Sequence, residues 1–368
     1  MNPLKRKISL LLITIISVSI VFTGCTTKIP ETENNKKTII CTDSVGRKVE
    51  VPENPKTIAA LDSFAGQAVF VLGDGDKIIA TVGGVQRDKL LQAISSKLAD
   101  ASVPMGGGTI NAEELLRLKP DITFIKGSVY AAESERSKLE SLGIPYLVIN
   151  YNDMESQMQA MDIMGKALGK SDVAAAYRKN YEDAIKLVKE RVRDISENEL
   201  PIIYHSVNEA VRTDGPNTLG ADWISVTRAI NVSVYQPLKF AENNYYASLE
   251  QIYQWNPEII ICNETGVADY ILTDEKWKGL DAVRNKTVYQ MPIGASRWGH
   301  QGSAETALGL LWLAKLLYPD QFKDLDLYQE TKEFYLYFYG YDVSRETIKS
   351  ILAGKGLRQP SVNSSGNE

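Results

Sequence analysis

The sequence predicts an α/β protein built from two Rossmann-like lobes with mostly parallel sheets, joined by one long rigid α-helix. Three observations predict this fold. A unit of short amphipathic helix, proline, acidic residue and apolar strand occurs twice, at residues 112–125 and 249–262. Strand patterns alternate with helix patterns along most of the chain, which favours parallel sheets covered by helices. Between the two units, a single apolar stripe at three-to-four spacing from Ser171 to Ile195 predicts the connecting helix.

Each copy of the repeated unit ends its helix at a proline, because proline disfavours the α region for the residue before it. The spacing that separates Pro120 from Pro257 also carries Glu113 onto Glu250. An acid in the first turns of a helix is stabilised by the helix dipole whatever its function. Matched acids on two lobes would in addition present a two-point anionic surface to a two-fold partner that carries arginines.

The pattern assigns the remaining elements in order. The first lobe has a hairpin over 37–51, strands over 57–61, 78–82, 122–125 and 146–149, and helices through 69–72 and over 131–142. The second lobe has strands over 202–204, 259–262 and 287–291, and helices over 221–230, 277–283, 303–317, 326–339 and 344–352. The segments 126–130 and 205–219 are interpreted as loops.

The N-terminal segment is typical of an exported protein. Residues 1–24 have a basic start and an apolar stretch that is too short for a stable membrane span. Small residues precede Cys25, which resembles the bacterial lipoprotein signal and implies lipidation of that cysteine. The alternative is a plain signal peptide with an incidental cysteine. On the lipoprotein interpretation, the protein is anchored by lipid to the extracytoplasmic face of the cell membrane.

The sequence therefore divides into six predicted parts. These are the signal peptide 1–24, a flexible polar tether 25–37, the N-terminal lobe 38–170, the connecting helix 171–196, the C-terminal lobe with terminal helices 197–355, and a disordered tail 356–368.

Composition limits the partners. The formal charge is −5, and removal of Lys5–Lys7 with the signal peptide makes it about −8. A nucleic-acid partner would require a basic face, so none is expected. Cys41 and Cys262 fall in different predicted lobes, and we interpret both as small buried hydrophobic residues rather than as a disulfide.

Ligands of open α/β sheets bind beyond the carboxyl ends of the strands, and a cleft between lobes is a favoured place for them. These strand ends carry Asp62, Ser63, Gly83, Gly84, Lys126, Gly127, Ser128 and Tyr130 in the first lobe, and His205, Ser206, Asn263, Glu264, Arg297, Trp298 and His300 in the second. If the lobes face each other, the two sets line one cleft.

The run Arg297–His300 is the richest of these clusters. Arginine supplies a forked cation, tryptophan a flat surface and glycine close access to the backbone, which suits a bulky, flat or anionic ligand. The alternative is a packed tryptophan at the head of a long helix. Arg212, in the polar loop after Ile203, is a second possible cation, although a solvated loop arginine is the simpler interpretation.

Motifs for chemistry are missing from the sequence. With two histidines and no CxxC pair, we expect no metal ion held directly by the protein. Gly106–Gly108 is not followed by Lys-Ser/Thr and predicts a turn rather than a phosphate loop. No Gly-x-Ser-x-Gly elbow is present, so we assign no catalytic residues and expect no enzyme activity. An extracellular hydrolase on the same two-lobe fold is the competing class.

Several of these features occur together in one known family. The lipoprotein signal, the Asp43–Pro52 segment, the repeated units, the connecting helix and the Gly294–Gly299 loop resemble the substrate-binding lipoproteins of ABC importers for iron–siderophore, haem and cobalamin, the class III periplasmic binding proteins. The resemblance covers roughly residues 38–352. It implies little closure on ligand, and it implies that Glu113 and Glu250 dock on arginines of a dimeric permease, which works with its ATPase.

The resemblance implies capture of a metal chelate, with a ferric siderophore as the first expectation, by a monomer that needs no cofactor. The residues expected to bind it are Arg297, Trp298, Tyr130, Arg212 and His300, with backbone from Gly83 and Gly84. Three alternatives stay open within the family. They are molybdate or tungstate on backbone donors at Gly83–Gly84 or Gly106–Gly108, cobalamin, and haem with Tyr130 or His300 as axial ligand.

Overall fold

The computed structural model describes residues 37–357 of the 368-residue chain. The predicted signal peptide, the lipidation site Cys25, the tether up to residue 36 and the tail from residue 358 lie outside the described residues. Between residues 37 and 357, no helix is both long enough and apolar enough to cross a membrane.

Strands and helices alternate through both halves of the described chain. The strands are β1 (Thr38–Thr42), β2 (Lys48–Pro52), β3 (Ile58–Leu61), β4 (Ile78–Thr81), β5 (Met105–Gly106), β6 (Thr109–Ile110), β7 (Ile122–Lys126), β8 (Tyr146–Ile149), β9 (Ile202–Ser206), β10 (Arg212–Thr213), β11 (Ile230–Asn231), β12 (Lys239–Ala241), β13 (Asn244–Tyr246), β14 (Ile259–Cys262) and β15 (Val288–Gln290). The helices are α1 (Ser63–Val71), α2 (Gly83–Gln86), α3 (Lys89–Ile94), α4 (Ala112–Leu118), α5 (Gly127–Ala131), α6 (Glu133–Leu142), α7 (Met154–Ala167), α8 (Ser171–Val192), α9 (Leu219–Val226), α10 (Leu249–Trp255), α11 (Val267–Thr273), α12 (Asp281–Arg284), α13 (Thr306–Leu317), α14 (Leu327–Tyr339) and α15 (Arg345–Leu352).

Two four-stranded parallel sheets form the two lobes. Their strand orders are β4-β3-β7-β8 in the first lobe and β11-β9-β14-β15 in the second. This confirms the predicted α/β class with parallel sheets. Cys41 and Cys262 are buried and free, as the sequence predicts.

The repeated unit has the same structure in both lobes. Helices α4 and α10 have seven residues each, and each buries one central apolar residue, Leu115 or Ile252. Each helix ends on a residue in the left-handed region, Lys119 at φ 46° and Asn256 at φ 42°. The chain therefore leaves both helices through a left-handed residue and a proline, and it then enters a central strand.

The acid after each proline fastens two strands together. The Asp121 carboxylate accepts hydrogen bonds from the backbone N–H groups of Lys56 at 2.7 Å and Thr57 at 3.2 Å, just before β3. In the second copy, the Glu258 carboxylate accepts from the N–H of Ile202 at 3.1 Å, at the start of β9. Each acid thus ties the start of its own strand to the start of the parallel neighbour, which helps to fix the strand register.

Helix α8 lies between the two halves of the chain. It has 22 residues, which corresponds to a length of about 33 Å. It ends at Val192 rather than at the predicted Ile195. Tyr177 and Tyr181 are buried on one face of α8, which packs against α7 and α13.

Buried amides hold the segment Gly302–Ala304 of the second half against helices that precede it. Gln67 of α1 donates to the first carbonyl of this segment at 2.5 Å and accepts from its last N–H at 3.1 Å. Gln157 of α7 donates to its middle carbonyl at 3.0 Å, and the Tyr177 hydroxyl of α8 donates to its last carbonyl at 2.9 Å. Because buried polar groups are costly to leave unpaired, these bonds fix the loop that precedes α13.

Some local predictions are wrong. Residues 127–131 form the short helix α5 rather than a loop. The helix predicted over 277–283 is divided into a 3-10 turn that ends at Trp277 and the short helix α12. The sequence also gave no sign of the antiparallel sheet β10-β13-β12, because strands of two or three residues are too short to show an alternating pattern.

Glu305 is a carboxylic acid in the interior of the fold. Its carboxyl group accepts from the N–H groups of Ala295 at 3.1 Å and Ser296 at 2.8 Å, and from the hydroxyl of Tyr335. Burial raises the pKa of Glu305 to about 7, although these hydrogen bonds act to lower it. The group therefore changes charge in the neutral range.

We expect the titration of Glu305 to make the fold less stable as the pH rises. Below its unfolded pKa, 4.5, the carboxyl is protonated in both states. As the pH rises to about 7, the folded state keeps a proton that the unfolded chain has lost, so the free energy of unfolding falls, and above the folded pKa it levels off. The loss between about pH 5 and about pH 8 is on the order of 3 kcal/mol. Denaturant unfolding should show a smaller decrease over this range for Glu305→Gln than for the wild type, and equal decreases would contradict the assignment.

Candidate functional site

A small polar pocket lies at the carboxyl ends of β9 and β14. Its volume is about 270 Å³. The wall is formed by Asn152, His205, Val207, Arg212, Thr213, Asp214, Pro216, Asn217, Thr218, Leu219, Gly220, Asn243, Asn244, Tyr245, Asn263, Gly299, His300 and Gln301. Of these, only Asn152, just after β8, comes from the first lobe. The prediction was that the strand ends of both lobes line one cleft, whereas this pocket is lined almost entirely by the second lobe.

His205 and Asp214 form a buried pair in the pocket wall. His205 is 1% exposed, and its Nδ1 lies 2.8 Å from Oδ2 of Asp214. The same carboxylate accepts from Nδ2 of Asn231 at 3.0 Å and from the hydroxyl of Thr218 at 3.4 Å. A carboxylate only accepts hydrogen bonds, so the ring proton of a neutral His205 is on Nδ1. Its Nε2 is buried and has no hydrogen-bond partner in the described part of the chain.

Asn263 contributes a buried donor. Its Oδ1 accepts from the backbone N–H of Asn208 at 2.9 Å, which fixes the orientation of the amide. Its Nδ2 is buried without a hydrogen-bond partner among residues 37–357. Most buried polar atoms in native proteins are paired. The pocket wall contains two such unpaired atoms, Nε2 of His205 and Nδ2 of Asn263. They indicate a ligand that forms hydrogen bonds with both.

Arg212 is the cation of the pocket. Its guanidinium makes no hydrogen bond and no ion pair with any residue that the structure describes. Burial lowers the pKa of Arg212 below its usual value, but an arginine remains charged in proteins. The pocket thus contains a half-buried positive charge that is available to a ligand.

The N-terminus of α9 forms another side of the pocket. Thr218 caps this helix by accepting from the N–H of Ala221 at 3.3 Å, and Leu219 and Gly220 line the pocket. The first N–H groups of a helix have no intrahelical acceptor and carry partial positive charge. Gly220 is needed here, because a Cβ at this position would lie 2.1 Å from Oδ1 of Asp214.

Arg297 is engaged by protein groups. Its Nη1 lies 2.5 Å from the Glu264 carboxylate and 2.5 Å from Oδ1 of Asn208, and its Nη2 lies 3.1 Å from Nε2 of His300. Glu264 therefore compensates its charge. Arg297 does not belong to the pocket wall, but it positions His300, which does.

The other residues expected at the site lie elsewhere. Trp298 is 0% exposed, so it offers no flat surface to a ligand and the alternative interpretation, a packed tryptophan, holds. Tyr130 on α5 stacks with Arg47, whose guanidinium carbon is 4.9 Å from the ring centroid. Gly83 and Gly84 open the short helix α2. None of these four residues lines the pocket.

Of the residues predicted to bind the ligand, Arg212 and His300 line the same pocket. It adds Asp214, Asn263, the α9 N-terminus and the tip of the β12–β13 hairpin. His205 and Asn263 were recognised as residues at strand ends, but they were not predicted to bind the ligand. The turn Asp214–Thr218 before an apolar helix was the available signal for the α9 N-terminus.

The His205–Asp214 pair resembles the base and orienting acid of a hydrolase. A nucleophile would have to lie within hydrogen-bonding reach of the free ring nitrogen. Among residues 37–357, no hydroxyl or thiol bonds to Nε2 of His205.

The fold and the pocket define a two-lobed α/β protein that binds a small solute. The family model of the periplasmic binding proteins matches residues 58–293. The chain therefore belongs to the periplasmic binding protein family, which confirms the resemblance to the substrate-binding proteins of ABC importers.

Known relatives agree with this assignment. The molybdate-binding protein MolA of Haemophilus influenzae is 26% identical over 326 residues, which cover 82% of this chain and 90% of MolA. The ABC transporter substrate-binding lipoprotein YvrC of Bacillus subtilis is 24% identical over 289 residues, covering 77% of this chain and 86% of YvrC. The structure of MolA bound to molybdate superposes with a TM-score of 0.74 at 24% identity, covering 83% of this chain and 99% of MolA, which shows the shared fold.

Proposed function

We propose that this protein captures a small oxyanion of the molybdate or tungstate class outside the cytoplasmic membrane and delivers it to the permease of an ABC importer. The observation that carries the proposal is the content of the pocket. One arginine without an ion pair, a helix N-terminus and the buried amide donor of Asn263 surround a volume of about 270 Å³. Oriented donors of this kind suit an anion that offers only acceptor oxygens.

The size of the pocket favours the oxyanion over a ferric siderophore. Pockets for drug-sized ligands usually have volumes of about 300–1,000 Å³, and a ferric siderophore is larger than most such ligands. The buried Trp298 supplies no platform for a bulky chelate. Binding of a ferric siderophore stays a prediction, and the oxyanion is the ligand that the pocket supports better. The sequence similarity to MolA, which is named for molybdate binding, supports the same choice.

The proposed partner is a dimeric permease with its ATPase. Glu113 and Glu250 are exposed and lie in the first turns of the equivalent helices α4 and α10. They offer one acid on each lobe to arginines of a two-fold partner. Anchoring through a lipid on Cys25 would keep the protein at the membrane surface, and YvrC is likewise named a lipoprotein.

Tryptophan fluorescence tests the cargo. The indole of Trp223 donates to the carbonyl of Gly299 at 3.0 Å, and its ring lies 5.8 Å from the ring of His205. Occupancy of the pocket should therefore change the emission of Trp223. We expect saturable changes with molybdate and tungstate, weaker changes with sulfate, and none with ferric siderophores.

The variant Trp223→Phe is the control for the signal, since it should bind molybdate by calorimetry without the emission change. A ferric chelate that binds while molybdate and tungstate do not would overturn the proposal.

A further inference from the structure

Both histidines of the chain line the pocket, and their surroundings are opposite. His205 has a carboxylate against Nδ1 and an unpartnered, buried Nε2 within the described residues. For His300, Nδ1 accepts from the N–H of Gly302 at 3.1 Å, and Nε2 lies 3.1 Å from the Arg297 guanidinium. Both ring nitrogens of His300 therefore meet donors, whereas His205 has room for a second proton.

The lone pair on His205 is a problem for an anionic ligand. Because Asp214 places the proton of the neutral ring on Nδ1, Nε2 carries a lone pair. Molybdate is fully deprotonated at neutral pH and also offers only lone pairs. Where an oxyanion oxygen contacts Nε2 directly, two acceptors would face each other unless a proton comes between them.

The charged side chains of the pocket also favour a proton on His205. Arg212 and Asp214 are the only charged side chains in the described pocket wall, and their formal charges cancel. A proton on His205 makes the wall positive by one charge, which adds to the α9 N-terminus in favouring a dianion. The resulting imidazolium would donate from Nδ1 to Asp214 and from Nε2 to the oxyanion, so both N–H groups form charge-assisted hydrogen bonds.

The titratable and charged groups near His205 come from several elements. The groups that face it are Asp214, the Trp223 ring on α9, Arg212 on β10, and the nearby wall residues Asn263 and His300. Glu305, whose pKa burial raises to about 7, contacts Ala295, Ser296 and Tyr335 rather than the pocket.

We propose that His205 is a proton-coupled binding residue, and that capture of a fully deprotonated oxyanion draws one proton from solution onto Nε2 of His205 with Asp214 as the counter-ion. The proton comes from water or buffer, no bond within the ligand breaks, and release of the ligand returns the proton. This inference rests on the proposed oxyanion function and deepens it, because it makes affinity depend on pH.

Calorimetric titration of the purified protein with molybdate measures this coupling. In two buffers of different ionisation enthalpy, neither of them an oxyanion, the difference in apparent binding heat gives the number of protons taken up. We expect close to one proton per molybdate bound near the upper end of the neutral range. The affinity should fall by up to about tenfold for each unit of rising pH in that range.

Asp214→Asn separates the coupling from simple loss of the site. An asparagine amide can donate to Nδ1, which moves the proton of the neutral ring to Nε2, where it can meet the oxyanion directly. The same substitution leaves the pocket wall positive without protonation. We expect this variant to bind molybdate with no proton uptake and with little pH dependence. A merely structural role of Asp214 would weaken binding and leave the proton count unchanged.

Two further variants complete the test. His205→Gln should lose the proton uptake, and His300→Gln should keep it whatever its effect on affinity. Uptake that persists in His205→Gln would assign the proton to another group, such as Glu305, and would overturn the inference. Binding by the wild type without proton uptake overturns the inference alone, whereas no molybdate binding at any pH overturns the proposed function as well.

Discussion

Replacement of Arg212 by methionine lowers the affinity for molybdate by about 10- to 100-fold. The guanidinium makes no ion pair within residues 37–357, and it lines the pocket beside the α9 N-terminus. A hydrogen bond to a charged group contributes about 1.5–3 kcal/mol, and each 1.4 kcal/mol corresponds to a tenfold change in the dissociation constant. Calorimetry at fixed pH and low ionic strength measures the loss. Methionine keeps much of the apolar stem, so the fold should be retained.

Two other arginine variants sharpen this result. Arg212→Lys keeps a charge but not the forked geometry, so we expect an intermediate affinity. Arg191→Met is the matched control. Arg191 on α8 pairs with Asp324 at 2.7 Å and does not line the pocket. Equal affinities for the wild type and Arg212→Met would remove the arginine from the site.

Reversal of both lobe acids, in Glu113→Lys/Glu250→Lys, abolishes uptake and leaves molybdate binding unchanged. Both side chains are exposed, on helices that the repeated unit places equivalently in the two lobes. A lysine in place of each acid would repel arginines of the permease. This repulsion weakens association with the permease and leaves the stability of the fold unchanged. Uptake of molybdate by cells that carry the importer, together with calorimetry of the purified variant, checks both halves of this prediction.

The control for this prediction is Glu133→Lys/Glu346→Lys. These acids are also exposed and also lie in the first turn of a helix, α6 or α15. The double control changes the net charge by the same amount and should transport normally. Normal transport by Glu113→Lys/Glu250→Lys would contradict the docking assignment, and lost ligand binding would give the acids a role in the fold or the pocket.

The proposed proton coupling at His205 would have a consequence for delivery of the ligand. A ligand that binds together with a proton is held more weakly wherever that proton is drawn away. A permease that presents a basic surface to the pocket would favour loss of both the proton and the anion. Under the two proposals, Glu113 and Glu250 act in docking and His205 acts in ligand binding, and the variants above separate these steps by uptake and by binding.

The sequence by itself determined the architecture of this protein. Helix–proline–strand units, the alternation of helix and strand patterns and the stripe of α8 are local patterns with a fixed period, so they can be interpreted without knowledge of the fold. The same local symmetry placed Glu113 and Glu250 at equivalent exposed positions. Even there, the second role of the repeat, the bonds from Asp121 and Glu258 to neighbouring strands, became visible only once the strand order was known.

Only the tertiary structure decided the pocket, because its members are chosen by pairings between distant residues. The arginine that looked most promising, Arg297, is compensated by Glu264, and the neighbouring Trp298 is buried. Arg212, which was predicted as a second binding cation with a solvated loop arginine as the simpler alternative, keeps its charge available. His205 acquires its chemistry from Asp214, which is brought to it by the small sheet that the pattern did not reveal. The sequence identifies the charged residues that could form a binding site. Their burial and their pairing with other residues in the fold decide which of them remain available to a ligand.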